Sequence, residues 1–428
     1  MDSEMLAALL IRHGWRRSRI PTGADLLIVN TCAFIEDAQK ESLEGLFSAC
    51  ALKDAGAATH IVAAGCLAQI EGDSLARQIP QLDLIVGVND WPRVPGLLKA
   101  LSHCPTRRLY RSSTPPLLAP AARVPLKGRH TRYLKIAEGC DCGCGFCVIP
   151  RIRGAARSMP EDAVLREARA LLRSGAKELV LVAQDTTAYG HDRTGMRGLA
   201  PLLDRVAQEC SAGGVGERWI RVLYLHPSKV DDSVIRAMTQ RPVLPYFDLA
   251  LQHSSSRVLR QMRRPVPENG WEPLIDRIRA HAPQAILRAT ILLGHPGEKR
   301  SDFTQLLKFL EWADLDRVGL FRYSPQPGTP SAGLDAPPAA EVGRRLAATE
   351  DLLLDQATRH AAQMLGRQFL VLVDGPSTSG GVTVRPWTDA PDIDWHYHLP
   401  ICARQGSLIE ATVVGALPGS VELEPVQD

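Results

Sequence analysis

No stretch of this 428-residue chain approaches the roughly 18 to 20 consecutive apolar residues that a membrane-spanning helix needs. Charge of one sign is missing too: 50 Lys and Arg stand against 47 Asp and Glu, a formal net charge of +3. A balance that small gives no global field for a nucleic acid to follow. No internal repeat is evident, and the first residues lack the charged, apolar and small-residue blocks of a secretory leader. The expectation is a cytoplasmic protein with no membrane partner. In a reducing compartment the ten cysteines are metal ligands, nucleophiles or small buried hydrophobes rather than disulfides. What is present is ordinary for a globular chain: 45% apolar and 23% charged residues, enough for two to four cored domains.

Texture changes along the chain. In residues 1–100, "ADLLIVNTC", "THIVAAGC" and "LDLIVGVND" are continuous apolar runs of the kind buried on both faces of a parallel sheet. The helical stretch "EDAQKESLEGLFSA" follows the first of them, so an N-terminal parallel α/β domain is expected. Residues 101–125, rich in Pro, Ser and Arg, read as a linker. Between 126 and 350 strand–helix alternation resumes with "RYLKIA", "ELVLVA", "WIRVLYL", "YFDLAL", "ILRATILLG" and "VGLFRYS", six strands that predict a partial (β/α) TIM-type barrel. Residues 364–428 carry "FLVLVD", "GVTVRP", "SLIEATVVGAL" and "SVELEP" between Gly, Pro and Asp, a small all-β barrel.

The densest chemistry is "GCDCGCGFC", residues 139–147. Cys140, Cys144 and Cys147 form C-x-x-x-C-x-x-C directly after the first barrel strand, the end at which barrel active sites form. Three thiolates on one loop hold three corners of a cubane iron–sulfur cluster and leave one iron open. Spacing alone also admits a zinc knuckle, which takes four protein ligands. Cys142 is two residues from both Cys140 and Cys144, too close to chelate the same metal without strain, and is read as a bystander. Gly139, Gly143 and Gly145 let the loop close tightly, and Phe146 is placed to shield it. In the first domain Cys32 and Cys66 each follow a strand of one parallel sheet, so the two thiols converge at its carboxyl edge.

The cysteine loop resembles the radical S-adenosylmethionine signature. "IVNTCAFIEDAQKES", "GCGFCVIPRIRG", "LVAQDTTAYG", "RVLYLHPSKV", "DLALQHSSSRVLRQMRRP", "GHPGEKRSDF" and "FRYSPQPGTP" resemble the methylthiotransferase branch, of the type that acts on a ribosomal protein. The tail adds "TDAPDIDW" to that likeness. The resemblance implies a TRAM domain at 364–428 and methylthiolation of the β-carbon of an aspartate in the twelfth protein of the small ribosomal subunit. It implies a 4Fe–4S cluster on Cys140, Cys144 and Cys147 whose open iron takes S-adenosylmethionine, and a second 4Fe–4S cluster involving Cys32 and Cys66. A reductant such as a flavodoxin or ferredoxin is expected. At the barrel mouth, Gln184, Asp185, Gln252, Gly294, Gly297 and Tyr323 are the expected cofactor-binding residues; His253 is given no catalytic role.

The chain departs from the family at one place. A third cysteine is expected several residues before a "VDSE"-like stretch, and this sequence opens there with "MDSEML". The resemblance therefore implies a start placed downstream of a first strand and its cysteine turn; Cys50 and Cys104 are poor substitutes, and with two thiolates alone the ligand set expected for the second cluster is incomplete in this chain. From Arg367 onward the tail has three Arg, no Lys and eight acidic residues, Asp374, Asp389, Asp392, Asp394, Glu410, Glu422, Glu424 and Asp428. Such a tail repels a phosphate backbone and attracts a basic ribosomal protein. It stands against one competing reading, a methylthiotransferase of adenosine in transfer RNA; the set of barrel-mouth motifs stands against another, a non-catalytic iron–sulfur protein that docks on ribosomes.

Overall fold

The structure, a computed structural model, describes residues 1–103, 108–113, 123–126, 128, 130–212, 216–266 and 268–426. Its first sheet runs β1 (Ala24–Thr31), β2 (Ala58–Gly65), β3 (Leu84–Gly87) and β4 (Arg108–Tyr110), in that spatial order and all parallel. Alternation explains why β2 is apolar throughout. Ile61 and Ala63 face a core with Leu46 and Leu67 of α2 (Glu36–Asp54) and α3 (Cys66–Gln78). Val62 and Ala64 face the opposite core with Leu6, Leu10 and Leu98 of α1 (Asp2–Arg12) and α4 (Val94–His103). Residues 101–125, read from sequence as linker, contribute the last turn of α4 and all of β4. Residues 104–107 and 114–122, Cys104 among them, lie outside the described residues.

The second unit contains β5 (Thr131–Lys135), the short pair β6 (Ala137–Glu138) and β7 (Arg157–Ser158), then β8 (Glu178–Val182), β9 (Trp219–Val222), β10 (Tyr246–Gln252), β11 (Ile286–Leu293) and β12 (Arg317–Arg322). Two parallel sheets, β5-β8-β9 and β10-β11-β12, are joined by the bridges Ile220–Val243 and Leu225–Leu249 into one curved wall, the expected open barrel. Helices back that wall by ordinary amphipathicity. In Glu161–Arg173, Val164, Ala168, Leu171 and Leu172 are buried at helical spacing.

Between β6 and β7 lies α5 (Ile149–Arg153), which starts two residues after Cys147. Its Ile152 and the preceding Val148 are buried in the core of the first domain, among Leu46, Ile61 and Leu75, and not in the barrel's own core. The cysteine loop is thereby anchored to both units.

After the long helix Ala339–Met364 the tail closes into the expected barrel, β13 (Gln368–Pro376), β14 (Val382–Pro386), β15 (His396–Leu399), β16 (Leu408–Leu417) and β17 (Ser420–Pro425), ordered β13-β14-β15-β17-β16. Its contact with the larger barrel is ionic as well as apolar. Glu178 and Arg221 are both fully buried, 2.8 Å apart, and Arg385 of the tail reaches Glu178 at 2.6 Å. The two guanidiniums outweigh the cost of burial and hold the Glu178 carboxyl down at about 2. Arg317 pairs with Asp389 at 2.7 Å and lies 4.0 Å over the Trp395 ring, while Tyr246 donates to Asp394 at 2.5 Å. Asp374 accepts from Arg385 and faces His130.

These pairs correct the expectation that the tail's acidity as a whole faces a basic partner. Asp374, Asp389 and Asp394 are turned inward onto arginines and His130, whereas Glu410, Glu422 and Glu424 remain exposed. Trp387 packs at the same junction with Trp219 and Tyr246.

Candidate active site

The cysteine loop sits at the carboxyl end of β5, and its backbone is fixed by neighbours rather than by regular structure. Gly139 has φ +82°, donates to Gln184 Oε1 at 2.8 Å, and leaves no room for a Cβ, which would stand 2.0 Å from the Ala155 carbonyl oxygen. Cys140 N–H donates to Gly154, Gly145 N–H to Met262, and Ser331 N–H to the Gly145 carbonyl, so barrel segments far apart in sequence grip the loop. Cys147 N–H closes a turn onto the Cys144 carbonyl at 3.1 Å.

The four thiols of this loop are half-buried and have different surroundings. Cys144 receives Arg264 Nη1 at 3.4 Å; burial raises its pKa, and the guanidinium opposes the rise. Burial pushes the Cys147 thiol up to about 11. Cys142 instead turns to the side. Its thiol donates to Asp185 at 3.4 Å and accepts from Lys229 at 3.5 Å, while its N–H reaches the Cys140 sulfur at 3.5 Å. The Cys140–Cys142 contact favours ionisation of Cys142 and disfavours that of Cys140.

Of the residues expected at the mouth, Gln184 holds the loop, as above. Asp185 is committed to the protein, paired with Lys229 and accepting from Thr187. Burial would raise its carboxyl, and the Lys229 ammonium outweighs that, leaving it below the usual carboxylate range. Gly294, at φ +80°, donates its N–H to Glu298 at 2.6 Å, so that amide serves the loop itself. The Gly297 carbonyl accepts from Arg257 at 2.7 Å. Tyr323 donates to the Ser331 carbonyl at 2.8 Å and packs edge-on against His295 at 5.3 Å.

Gln252 and Tyr323 line a narrow cleft of about 90 Å³ with Phe146, Thr290, Leu292, Phe321 and Gln326. Phe34 and Ile35, from the turn after β1, form its other wall, so both units contribute. Among the described residues, the buried polar atoms beside the mouth that lack a hydrogen-bond partner include Arg264 Nε, His253 Nε2, Ser254 Oγ and His226 Nε2. Arg264 and Lys229 have no sequence signal of their own. Each is placed only by tertiary structure, Arg264 with its Nη2 on the Ala250 carbonyl at 2.5 Å.

At the carboxyl edge of the first sheet β1 and β2 pair in register up to Thr31 and Gly65, so Cys32 and Cys66, one residue further, leave it side by side. Cys66 Sγ accepts from Arg153 at 3.6 Å, and its pKa is raised by burial. Arg153 in turn pairs with Asp2 at 2.9 Å, and Lys135 with Asp2 at 2.9 Å.

The thiols, loop and unpartnered donors suit a cluster better than isolated zinc. Three thiols, soft donors, lie on a loop gripped at its backbone, an arginine stands beside one of them, and an apolar ring, Phe146, adjoins the cleft. Among the described residues no three His, Cys, Asp or Glu side chains already converge on one metal position; the thiols are carried free.

Two family models match: the uncharacterized protein family UPF0004 over residues 1–87 and the radical SAM superfamily over residues 134–310. The chain is 39% identical over 400 residues to ribosomal protein uS12 methylthiotransferase RimO of Desulfosudis oleivorans, covering 92% of this chain and 89% of that protein. It is 37% identical to the RimO protein of Symbiobacterium thermophilum, covering 99% of this chain and 84% of the relative. For that of Kineococcus radiotolerans the identity is again 37%, over 100% of this chain and 94% of the relative. Among solved structures, the radical S-adenosylmethionine methyltransferase TsrM of Kitasatospora setae, with tryptophan substrate and aza-SAM bound, aligns at TM-score 0.53 and 15% identity. That alignment covers 76% of this chain and 66% of TsrM.

Proposed function

This chain belongs to the RimO family of ribosomal protein uS12 methylthiotransferases, and from that premise we propose that it methylthiolates uS12 at the β-carbon of an aspartate. The observation that carries the reading is one loop that bears Cys140, Cys144 and Cys147, with Arg264 at 3.4 Å from the Cys144 sulfur and Phe146 of the same loop lining a cleft walled by both units. A 4Fe–4S cluster on those three thiols, with S-adenosylmethionine at its open iron, would supply the radical that removes an unactivated hydrogen.

The rest is done by the chain's own residues. Arg264 offsets negative charge on the thiolates, a service worth most in a half-buried site. Gln184 and the Met262 carbonyl hold the backbone of the loop that carries the thiols. Phe146, Leu292, Phe321 and Phe34 exclude water from the cleft, and Gln252 offers it a polar side chain. No general base is required for hydrogen abstraction by a radical, which agrees with His253 being buried and held neutral, its pKa pushed down to about 4 by burial. Cys32 and Cys66 are the residues proposed to hold the second cluster, from which sulfur would come. An electron donor of the flavodoxin or ferredoxin class is proposed as reductant. The transfer-RNA reading gains nothing from the tail, where Arg385 is buried on Glu178.

The test is anaerobic. Protein reconstituted with iron and sulfide is incubated with reductant, S-adenosylmethionine and a uS12 loop peptide, and the peptide is sequenced by mass spectrometry. A methylthio group on aspartate is expected, with 5′-deoxyadenosine formed alongside. Cys32→Ala and Cys66→Ala should retain 5′-deoxyadenosine formation and lose sulfur insertion. Zinc bound stoichiometrically at the loop and no 5′-deoxyadenosine would refute the assignment.

A further inference from the structure

The turn joining α1 to β1 reads "RHGWRRSR" and carries Arg12, Arg16, Arg17 and Arg19 within eight residues. All four arginines are exposed. Among the described residues none of them is in an ion pair, and the one hydrogen bond made by these side chains is from Arg17 to the Pro125 carbonyl at 3.5 Å. The four charges exceed the net charge of the whole chain, +3.

This is a fixed platform. Trp15 packs into the core under α1 and α4, and the N–H groups of His13, Gly14 and Trp15 donate back to the last carbonyls of α1. Ser18 Oγ bridges to both the N–H and the carbonyl of Ile20, and Gly23 N–H donates to the Ala57 carbonyl at 2.6 Å. Like charges crowded on one turn repel one another, and a bound anion relieves that repulsion. Arginine forks fit phosphate oxygens in particular. A repeating anion matches four arginines along one turn better than a single phosphate does. Position agrees with this: α1, about 16 Å long by its rise per residue, separates the turn from Asp2, which stands beside Arg153 and Cys66.

We propose that the Arg12–Arg19 turn is a docking surface for the phosphate backbone of ribosomal RNA, reading charge and not base sequence. The choice of RNA over an acidic protein rests on the uS12 reading above, since a ribosomal protein presents itself among RNA phosphates. The global charge balance, which gave no reason to expect nucleic acid, hides a local field of this kind.

Full-length protein is titrated into a fluorescein-labelled 20-base-pair RNA duplex of mixed sequence, followed by anisotropy from about 50 to 200 mM KCl. With four phosphates neutralised, the log–log salt slope should be about −3.6, a loss of about 150-fold in affinity across that range. The variant R16E/R17E/R19E should bind at least about tenfold more weakly with a much flatter slope, and R16K/R17K/R19K should stay within about threefold of the parent. If the reversed variant misfolds by circular dichroism, R16Q/R17Q/R19Q replaces it with the same expected loss. Equal binding by the parent and the reversed or neutral variant overturns the proposal. So does binding to poly-glutamate, or to vesicles containing phosphatidylglycerol, as tight as to RNA. Modification of an isolated uS12 peptide is unaffected by these substitutions if the proposal holds. Failure of the parent to modify that peptide counts against the function reading alone, because RNA binding is read without it.

Discussion

Replacing Arg385 by Met tests how the tail is held to the barrel. Arg385 is buried and donates to Glu178 at 2.6 Å, Thr131 at 3.1 Å, the Asp389 carbonyl at 3.1 Å and Asp374 at 3.2 Å. The methionine fills much of the same volume, so the loss is electrostatic. Glu178 keeps Arg221 at 2.8 Å but has no water to replace the missing guanidinium, being fully buried. Breaking such a pair from one side costs about 3–5 kcal/mol, and the remaining Arg221 places this case near about 3. Removing the stranded charge as well, in Glu178→Gln with Arg385→Met, should recover part of that, a coupling of about 2 kcal/mol between the two sites.

The pH dependence has a definite sign. A carboxyl held at about 2 when folded contributes stability that is complete above its unfolded value near 4.5 and is lost as pH falls between the two. In Arg385→Met that window should move upward, because one of the two groups holding Glu178 down has gone. Urea unfolding followed by the fluorescence of Trp387 and Trp395, with limited proteolysis to detect release of the tail, reads both quantities. A cost below about 1 kcal/mol, or additivity of the two substitutions, would show that the network does not hold the tail.

Two further outcomes are expected. Cys140→Ala, Cys144→Ala and Cys147→Ala should each lose most cluster iron and sulfide after reconstitution, whereas Cys142→Ala should retain them within about twofold; loss of iron in the last would make Cys142 a ligand. His253 and His295 are both held near 4 by burial, so each favours the folded state above its ordinary value near 6.5, and stability should decline as pH falls from 6.5 toward 4. The slope is up to about 1.4 kcal/mol per pH unit for each histidine, and an unchanged urea midpoint between pH 7 and 5 would exclude it.

The parallel sheets were legible because strands covered on both faces must be apolar without alternation, as in "THIVAAG". The α1 helix was not among the expectations, although Leu6 and Leu10 stand one turn apart, because its opening residues are polar. The strand β15 was missed because "HYHL" is short and only Tyr397 and Leu399 point inward. β4, three residues in a Pro- and Arg-rich stretch, has no local signature and is made by its parallel pairing with β3. At the site, the cysteine spacing announced itself because a cluster needs its ligands close in sequence. Arg264 and Lys229 did not, since their meaning comes from approaching sulfurs 120 and 87 positions away. The tail's acidity was misjudged in the same way: a count of charges cannot tell which of them face inward onto arginines.

The wedge formed by Val148 and Ile152 in the first domain's core has an engineering consequence. A grafted first domain from a relative must bring a socket of matching shape, or the graft will disturb the cysteine loop while leaving its sequence intact. Deleting residues 1–100 would likewise strip the covering from two aliphatic side chains at the base of the loop. The truncated barrel should therefore be a poor surrogate for studying that loop in isolation.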